Sequence, residues 1–207
     1  MADALAASAE QARARSGFAA AAEALQRAAE LSPDVTIRAR RLVEAGEAAL
    51  QAGQPEWALD CVGRAEQAAG RGAIGGRVAA VRGNIQLRAG QLGQAVATLR
   101  DGAVLLSADD PTLAVEMLWT AAEAAGNTGD MGGLVTAAEQ ARTVPVAPSG
   151  AWLARCQGLT TSDPLKATKY LREALRLYDL GEERFGRART ELLLGEALRR
   201  AKRRTEA

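Results

Sequence analysis

The chain has 207 residues, of which 48% are apolar and 25% charged, and its formal net charge is +1. This length is enough for a substantial buried core, and the near-neutral charge removes any general attraction to nucleic acid or to an acidic membrane. Only 3% of the residues are aromatic, alanine is abundant, and runs typical of β-strands are missing. This composition favours closely packed helices, because alanine has the highest helix propensity and lets backbones approach.

The cysteines and the N-terminal sequence indicate the cellular compartment of the protein. Cys61 and Cys156 lie far apart, and the chain contains no histidine, so neither a disulfide framework nor a zinc site is expected. Both are predicted to be small buried residues of a cytoplasmic protein. The opening MADALAASAEQARAR has no continuous apolar segment and is not a signal peptide. No run approaches the about 20 apolar residues that a membrane span needs.

Helix–turn–helix units follow one another along the chain. The clearest unit, Ala39–Ala69, reads as two short amphipathic helices. Residues that open a second helix recur every 33 to 40 positions, at Ala21, Ala58, Ala95, Leu134, Ala167 and Ala207. Each follows a turn-like segment: Ser16-Gly17, Gly53-Gln54-Pro55, Gly90-Gln91, Gly129-Asp130, Ser162-Asp163-Pro164 and Lys202-Arg203. Glycine suits a helix C-terminus and proline the first turn of the next helix, so the sequence predicts a helical repeat.

A small residue marks the same place in the first helix of most units. These residues are Ala9, Gly46, Gly83, Ala122 and Gly195. Small side chains at helix crossings let neighbouring helices interdigitate. The fifth unit is ambiguous, because Arg155 stands where a small residue is expected. A shift of register there would make Gly158 the packing position instead.

The segment Ser16–Pro33, SGFAAAAEALQRAAELSP, resembles the second helix of the tetratricopeptide repeat (TPR), a unit of 34 residues. The matching positions are Phe18, Ala21, Leu25, Ala28 and Pro33. The resemblance implies an all-α fold, a right-handed superhelix (α-solenoid) of about five to six TPR-like helix–turn–helix repeats. We expect a single domain over residues 1–207, with an incomplete last repeat.

Three segments depart from the repeat pattern. Gly70–Gly76, GRGAIGG, is predicted to be a flexible loop between repeats, because no Lys-Ser/Thr follows it as a phosphate-binding loop requires. Residues 143–150, TVPVAPSG, contain two of the six prolines and are a candidate hinge. Ala188–Ala207 begins a repeat and stops as the second helix opens, which is typical of a piece of something longer.

Sequence motifs for catalysis are missing. The chain has no GxxxxGK[ST] loop and no GxGxxG that follows a strand. Without histidine, it also lacks the ordinary general base of a catalytic triad. The acidic pairs Asp109-Asp110 and Glu182-Glu183 lie in predicted turns, where carboxylates cap helices. We therefore expect no enzymatic activity, no cofactor and no metal.

A basic cluster lies near the C-terminus, at Arg199, Arg200, Lys202, Arg203 and Arg204. Such a cluster either contacts nucleic-acid phosphates or is a solvated helix end whose cations complement the helix dipole. No aromatic residue interleaves it, and glutamates flank it. The second interpretation is favoured, so no direct contact with nucleic acid is expected.

The TPR resemblance also implies where a partner would bind, because ligand peptides of that family lie along the first helices of successive repeats. Carried over residue by residue, the concave groove is lined by Arg40, Glu47, Arg77, Asn84, Arg88, Trp119 and Glu123, and by Trp152 if the fifth register holds. The Lys/Asn clamp that some family members use for a terminal carboxylate is not reproduced. The two groove tryptophans are either a shared aromatic wall for a partner or fillers of an Ala-rich core, and Trp57 is expected to be core.

Several phrases resemble the helical region of large ATP-binding transcriptional regulators of the LuxR type: ELLLGEALRRAKRRTEA, AWLARCQGL and AQARARSGFAAAAEALQRAAELSPD. The resemblance implies a bacterial regulator with an N-terminal ATPase, this TPR-like region and a C-terminal helix-turn-helix, of which only the middle part is in this sequence. The implied function is a non-catalytic sensor and interaction segment that couples a partner or inducer to those domains. The alternative is a free-standing TPR adaptor or scaffold that binds a partner peptide or helix, and self-association is open in both cases.

Overall fold

The computed structural model describes residues 1–69, 72–144, 150–179 and 184–205. Within these ranges the backbone forms eleven α-helices and no β-strand. The helices are α1 Ala2–Ala14, α2 Phe18–Glu30, α3 Val35–Gln51, α4 Pro55–Ala69, α5 Ala73–Arg88, α6 Leu92–Leu106, α7 Pro111–Thr128, α8 Met131–Thr143, α9 Gly150–Thr160, α10 Pro164–Tyr178 and α11 Arg184–Thr205. None of the described helices is both long and apolar enough to cross a membrane.

Successive helices pack as hairpins, and the hairpins stack on one another. Each odd-numbered helix from α1 to α9 pairs with the helix that follows it, and each second helix also packs on the first helix of the next unit. First helices also contact each other, as α3 and α5 do. This arrangement confirms the predicted all-α fold, a superhelix of TPR-like helix–turn–helix units.

The turns between helices follow from their residues. Gly53 and Gly129 both adopt a φ of +76°, a left-handed conformation that glycine reaches without a side-chain penalty. Asp110 caps α7, because its carboxylate accepts a hydrogen bond from the Leu113 amide at 3.1 Å. The predicted cap at Asp109-Asp110 is thus confirmed for Asp110, whereas Glu182-Glu183 lies outside the described residues.

The small residues of the first helices permit close packing within each hairpin. A Cβ on Gly46 would lie 2.8 Å from Cγ1 of Val62, and one on Gly83 would lie 2.5 Å from Leu99. A Cβ on Gly158 would lie 2.7 Å from Cγ of Leu171 in the same way. Gly158 is therefore the packing position of the fifth unit, which resolves the ambiguity of its register.

Alanine dominates the core, which consists of two main clusters along the stack. The first joins α1 to α5 and contains Leu25, Leu42 and Cys61. The second joins α5 to α9 and contains Leu118 and Trp152. Smaller clusters connect α9 and α10, and α10 and α11. No single hairpin buries its apolar face alone, as expected for a stacked repeat.

Two predictions about irregular segments are wrong. The Gly-rich segment is not a loop throughout: α5 begins at Ala73, and a Cβ on Gly76 would lie 2.9 Å from the Gly102 carbonyl oxygen of α6. Gly76 therefore serves close helix packing, whereas a Cβ on Gly72 would meet nothing within 4 Å, and residues 70 and 71 lie outside the described ranges. The predicted turn at Lys202-Arg203 is helical, because α11 continues to Thr205 and lysine and arginine are good helix formers.

The candidate hinge at 143–150 is framed by two helix ends. α8 ends at Thr143 and α9 begins at Gly150, and residues 145–149 lie outside the described ranges. The hinge stays a prediction. The same holds for the last predicted helix opening at Ala207, which also lies outside them.

Candidate functional site

The eight predicted groove residues all lie on first helices: two on α3, three on α5, two on α7 and one on α9. We call the accessible side of these four helices the inner face. The residues differ in how far intrachain contacts already engage them. This difference decides which of them a partner could reach.

On α3, Arg40 and Glu47 have different environments. Arg40 is exposed, and its Nε lies 3.8 Å from the Glu44 carboxylate one turn along the same helix. Glu47 is half-buried, and its side chain forms no hydrogen bond or ion pair with another described residue. Burial raises the pKa of the Glu47 carboxyl, although the nearby charges of Arg13 and Arg77 oppose that shift.

On α5, two of the three groove residues hold the stack together. Arg77 forms an ion pair of 2.6 Å with Asp110, the residue that caps α7. Arg88 donates a hydrogen bond of 3.1 Å to the carbonyl oxygen of Leu50, at the end of α3. Asn84 is exposed and bonds only within its own helix, from Nδ2 to the Ala80 carbonyl oxygen at 2.9 Å. Arg77 and Arg88 thus connect neighbouring units, whereas Asn84 does not.

The tryptophans of α7 and α9 stack on each other. The ring centroids of Trp119 and Trp152 are 6.0 Å apart, with an interplanar angle of 28°. Trp152 is 0% exposed and belongs to the core, while Trp119 is half-buried and packs against it. The structure therefore corrects the placement of Trp152 as a groove-lining residue: it supports Trp119 from behind. Trp57 is half-buried as well and donates a 2.7 Å hydrogen bond to Gln26.

Glu123 is the centre of a charged cluster that joins three first helices. It pairs with Arg155 of α9, and its other carboxylate oxygen lies 2.9 Å from Arg189 of α11. Arg155 is only 3% exposed, and its guanidinium carbon lies 6.0 Å from the centroid of the Trp119 ring. Glu123 is thus engaged by the stack itself, and its place in a binding groove stays a prediction.

Sequence reasoning missed the partners of Glu123. Arg155 was expected at a small-residue packing position, and Arg189 was not considered. The sequence did contain one signal for this pairing, the arginine at a packing position that is normally small and buried. A buried arginine needs a carboxylate partner. Arg155 meets that need across the α7–α9 contact.

The two cysteines and the basic cluster lie outside the groove residues. Burial raises the pKa of the Cys61 thiol to about 11 and that of Cys156 to about 12. Both cysteines are free. In the basic cluster, Arg199 and Arg200 both pair with Glu196 of their own helix. This pairing favours the solvated helix end over a phosphate-binding site.

Comparison with known proteins supports the fold. No protein-family model matches the chain, and no curated protein matches it. Among solved structures, the chain is similar to the crystal structure of MamA, with a TM-score of 0.62 and 15% sequence identity. The match covers 83% of this chain and 95% of that one. At this identity the likeness shows the fold alone, an all-α stack of TPR-like hairpins.

Proposed function

We propose that this chain is a non-catalytic protein-interaction module that binds a partner along its inner face. The observation that carries the proposal is the accessibility of the Arg40 and Asn84 side chains. Both are exposed on neighbouring first helices, and their side-chain contacts stay within their own helices. A partner can therefore bind them without breaking a contact between units.

The middle of the inner face adds a carboxylate and an aromatic surface to these groups. The Glu47 side chain is half-buried without a hydrogen-bonding partner among the described residues, and its burial raises the pKa of its carboxyl although the charges of Arg13 and Arg77 oppose that shift. Perturbed groups of this kind concentrate at functional sites. Trp119 offers a half-exposed ring held in place by Trp152, and rigid tryptophans are frequent anchors of protein interfaces.

The non-catalytic part of the proposal rests on the available side chains. The chain has no histidine, and the raised pKa of each thiol keeps both cysteines protonated at neutral pH. The Ser–His and Cys–His pairs of nucleophilic catalysis therefore lack their base in this chain.

We further propose that the module is the sensor segment of a LuxR-type regulator in the cytoplasm of a bacterium. The phrases AWLARCQGL and ELLLGEALRRAKRRTEA, which resemble that family, support this assignment. Binding of an inducer, a partner protein or a neighbouring domain to the inner face would shift an equilibrium between inactive and active states. The shift cannot exceed the difference in the ligand's affinity for the two states.

The regulator proposal is tested by the mass of the native polypeptide, detected in its source cell with an antibody against residues 1–207. We expect a product several times larger than 21.6 kDa, and we expect the isolated chain to bind neither ATP nor DNA. A native product of 21.6 kDa would overturn the regulator proposal and would leave the free-standing adaptor as the remaining interpretation.

A further inference from the structure

The second helices of the five hairpins differ in charge. α10 carries four cations, Lys166, Lys169, Arg172 and Arg176, against the single carboxylate of Glu173, which gives a net charge of +3. By the same count α2 has a net charge of −1, α4 of −2, and α6 and α8 are neutral. The positive charge is therefore concentrated on one second helix, away from the inner face.

Four side chains of α10 form a row. Leu165, Lys169, Arg172 and Arg176 are spaced four, three and four residues apart, which places them on one side of an α-helix. Leu165 is 68% exposed, and Arg176 pairs with Glu173 at 2.6 Å. The side chains of Lys169 and Arg172 are exposed and form no hydrogen bond or ion pair with any described residue. We call this row the outer row.

The outer row borders an open groove. The groove has a volume of about 610 Å³ and is completed by Ala154 and Gln157 of α9 and by Thr168, Tyr170 and Glu173 of α10. From Leu165 to Arg176 the row spans about 16 Å, at 1.5 Å per residue. This length matches three turns of a helix laid alongside it.

We propose that the outer row docks an acidic amphipathic helix of a partner protein, at a surface separate from the inner face. Carboxylates spaced three and four residues apart on such a helix meet Lys169 and Arg172 on successive turns. An apolar residue one turn away covers Leu165, which removes an exposed leucine from water. A nucleic-acid backbone supplies the negative charge but leaves Leu165 uncovered, so the row favours a helix over a phosphate chain.

The test uses a fluorescein-labelled synthetic peptide of about three to four turns, in which one Leu and then three Glu follow one another at spacings of four, three and four residues. Binding to the full 207-residue chain is measured by fluorescence anisotropy at low and at physiological salt. We expect saturable binding that weakens with salt. K169E/R172E should weaken peptide binding about tenfold or more, because the glutamates of the peptide would then face two carboxylates in place of two cations. L165A should weaken it by about three- to tenfold through the lost apolar contact.

The matched control is R15E/R142E, which makes the same change in net charge at two exposed arginines on α1's end and α8. It should alter peptide binding less than about twofold. Circular dichroism of each variant reports whether it is folded. The proposal is overturned if the peptide does not bind, or if the control weakens binding as much as K169E/R172E does. It is also overturned if a single-stranded oligonucleotide binds more tightly than the peptide and is insensitive to L165A.

Discussion

Gly158 of α9 and Leu171 of α10 approach so closely that a Cβ on Gly158 would lie 2.7 Å from Cγ of Leu171 and 2.9 Å from its Cδ2. Gly195 occupies the matching place on α11, but a Cβ there would meet nothing within 4 Å. The two glycines share a sequence pattern and differ in surroundings. They therefore form a natural pair of sites for measuring what close packing contributes to stability.

We predict that Gly158→Val lowers the free energy of unfolding by about 2 kcal/mol, because the added side chain overpacks the α9–α10 contact. Gly195→Val should leave it unchanged or slightly higher, since valine has the better helix propensity and space is available. Urea unfolding followed by circular dichroism measures both. Equal effects of the two substitutions would show that Gly158 is not a packing position.

The charged cluster around Glu123 gives a second prediction. Glu123→Gln should lower the free energy of unfolding by about 3 kcal/mol, because it leaves the buried guanidinium of Arg155 without its counter-charge. Glu196→Gln, which removes the exposed partner of Arg199 and Arg200, should change it by less than about 1 kcal/mol. The double variant E123Q/R155M should recover part of the loss in the same urea experiment. A loss no larger than that of Glu196→Gln would contradict the burial of this cluster.

The carboxyl of Glu47 makes stability depend on pH. Its pKa in the folded chain lies above the ordinary value of 4.5 because of burial, so the folded state binds a proton more readily than the unfolded state. The contribution of Glu47 to stability is therefore most favourable below pH 4.5 and declines as the pH rises through the raised pKa.

Glu47→Gln should accordingly raise the midpoint of thermal unfolding at pH 7, relative to the unmodified chain, and this gain should shrink as the pH falls below 4.5. A gain for Glu47→Gln that is constant from pH 4 to pH 8 would rule out this titration as its source.

The two cysteines report on opening of the stack. Because burial raises the pKa of Cys61 to about 11 and of Cys156 to about 12, neither should react with iodoacetamide at pH 8 while the chain is folded. If residues 143–150 act as a hinge, Cys156 should be labelled before Cys61 at low urea, since α9 follows the hinge directly. Peptide mass spectrometry resolves the two rates. Simultaneous labelling would indicate that the stack opens as one unit.

The fold could be predicted from the sequence because its determinants are local and repeated. Ala-rich amphipathic helices, a glycine or proline at each turn and a small residue at each helix crossing all predict the same stack. Errors arose where one residue type has two uses. Gly76 was assigned to a flexible loop, yet it lies within α5 and lets α5 approach α6. Glycine signals a turn and a close contact alike, and only the neighbouring helix distinguishes them.

The candidate site could be predicted only in outline. Family positions placed all eight residues on first helices, but the sequence does not show which of them the stack itself uses. Trp152 is fully buried, and Glu123 binds two arginines from later units. Both facts depend on contacts between residues about 30 to 70 positions apart, which a repeat period does not encode. Arg40 and Asn84 keep their predicted accessibility because they contact only their own helices.

The most direct test of binding at the inner face is site-specific photo-crosslinking in the source cell. A photoreactive benzoylphenylalanine replaces Asn84 on the inner face or, as the matched control, Gln94 on the exposed side of α6. After irradiation, adducts of the native polypeptide are identified by mass spectrometry. Binding at the inner face predicts a discrete protein or intrachain domain adduct from position 84 and little from position 94. Equal adducts from both positions, or none from position 84, would contradict it.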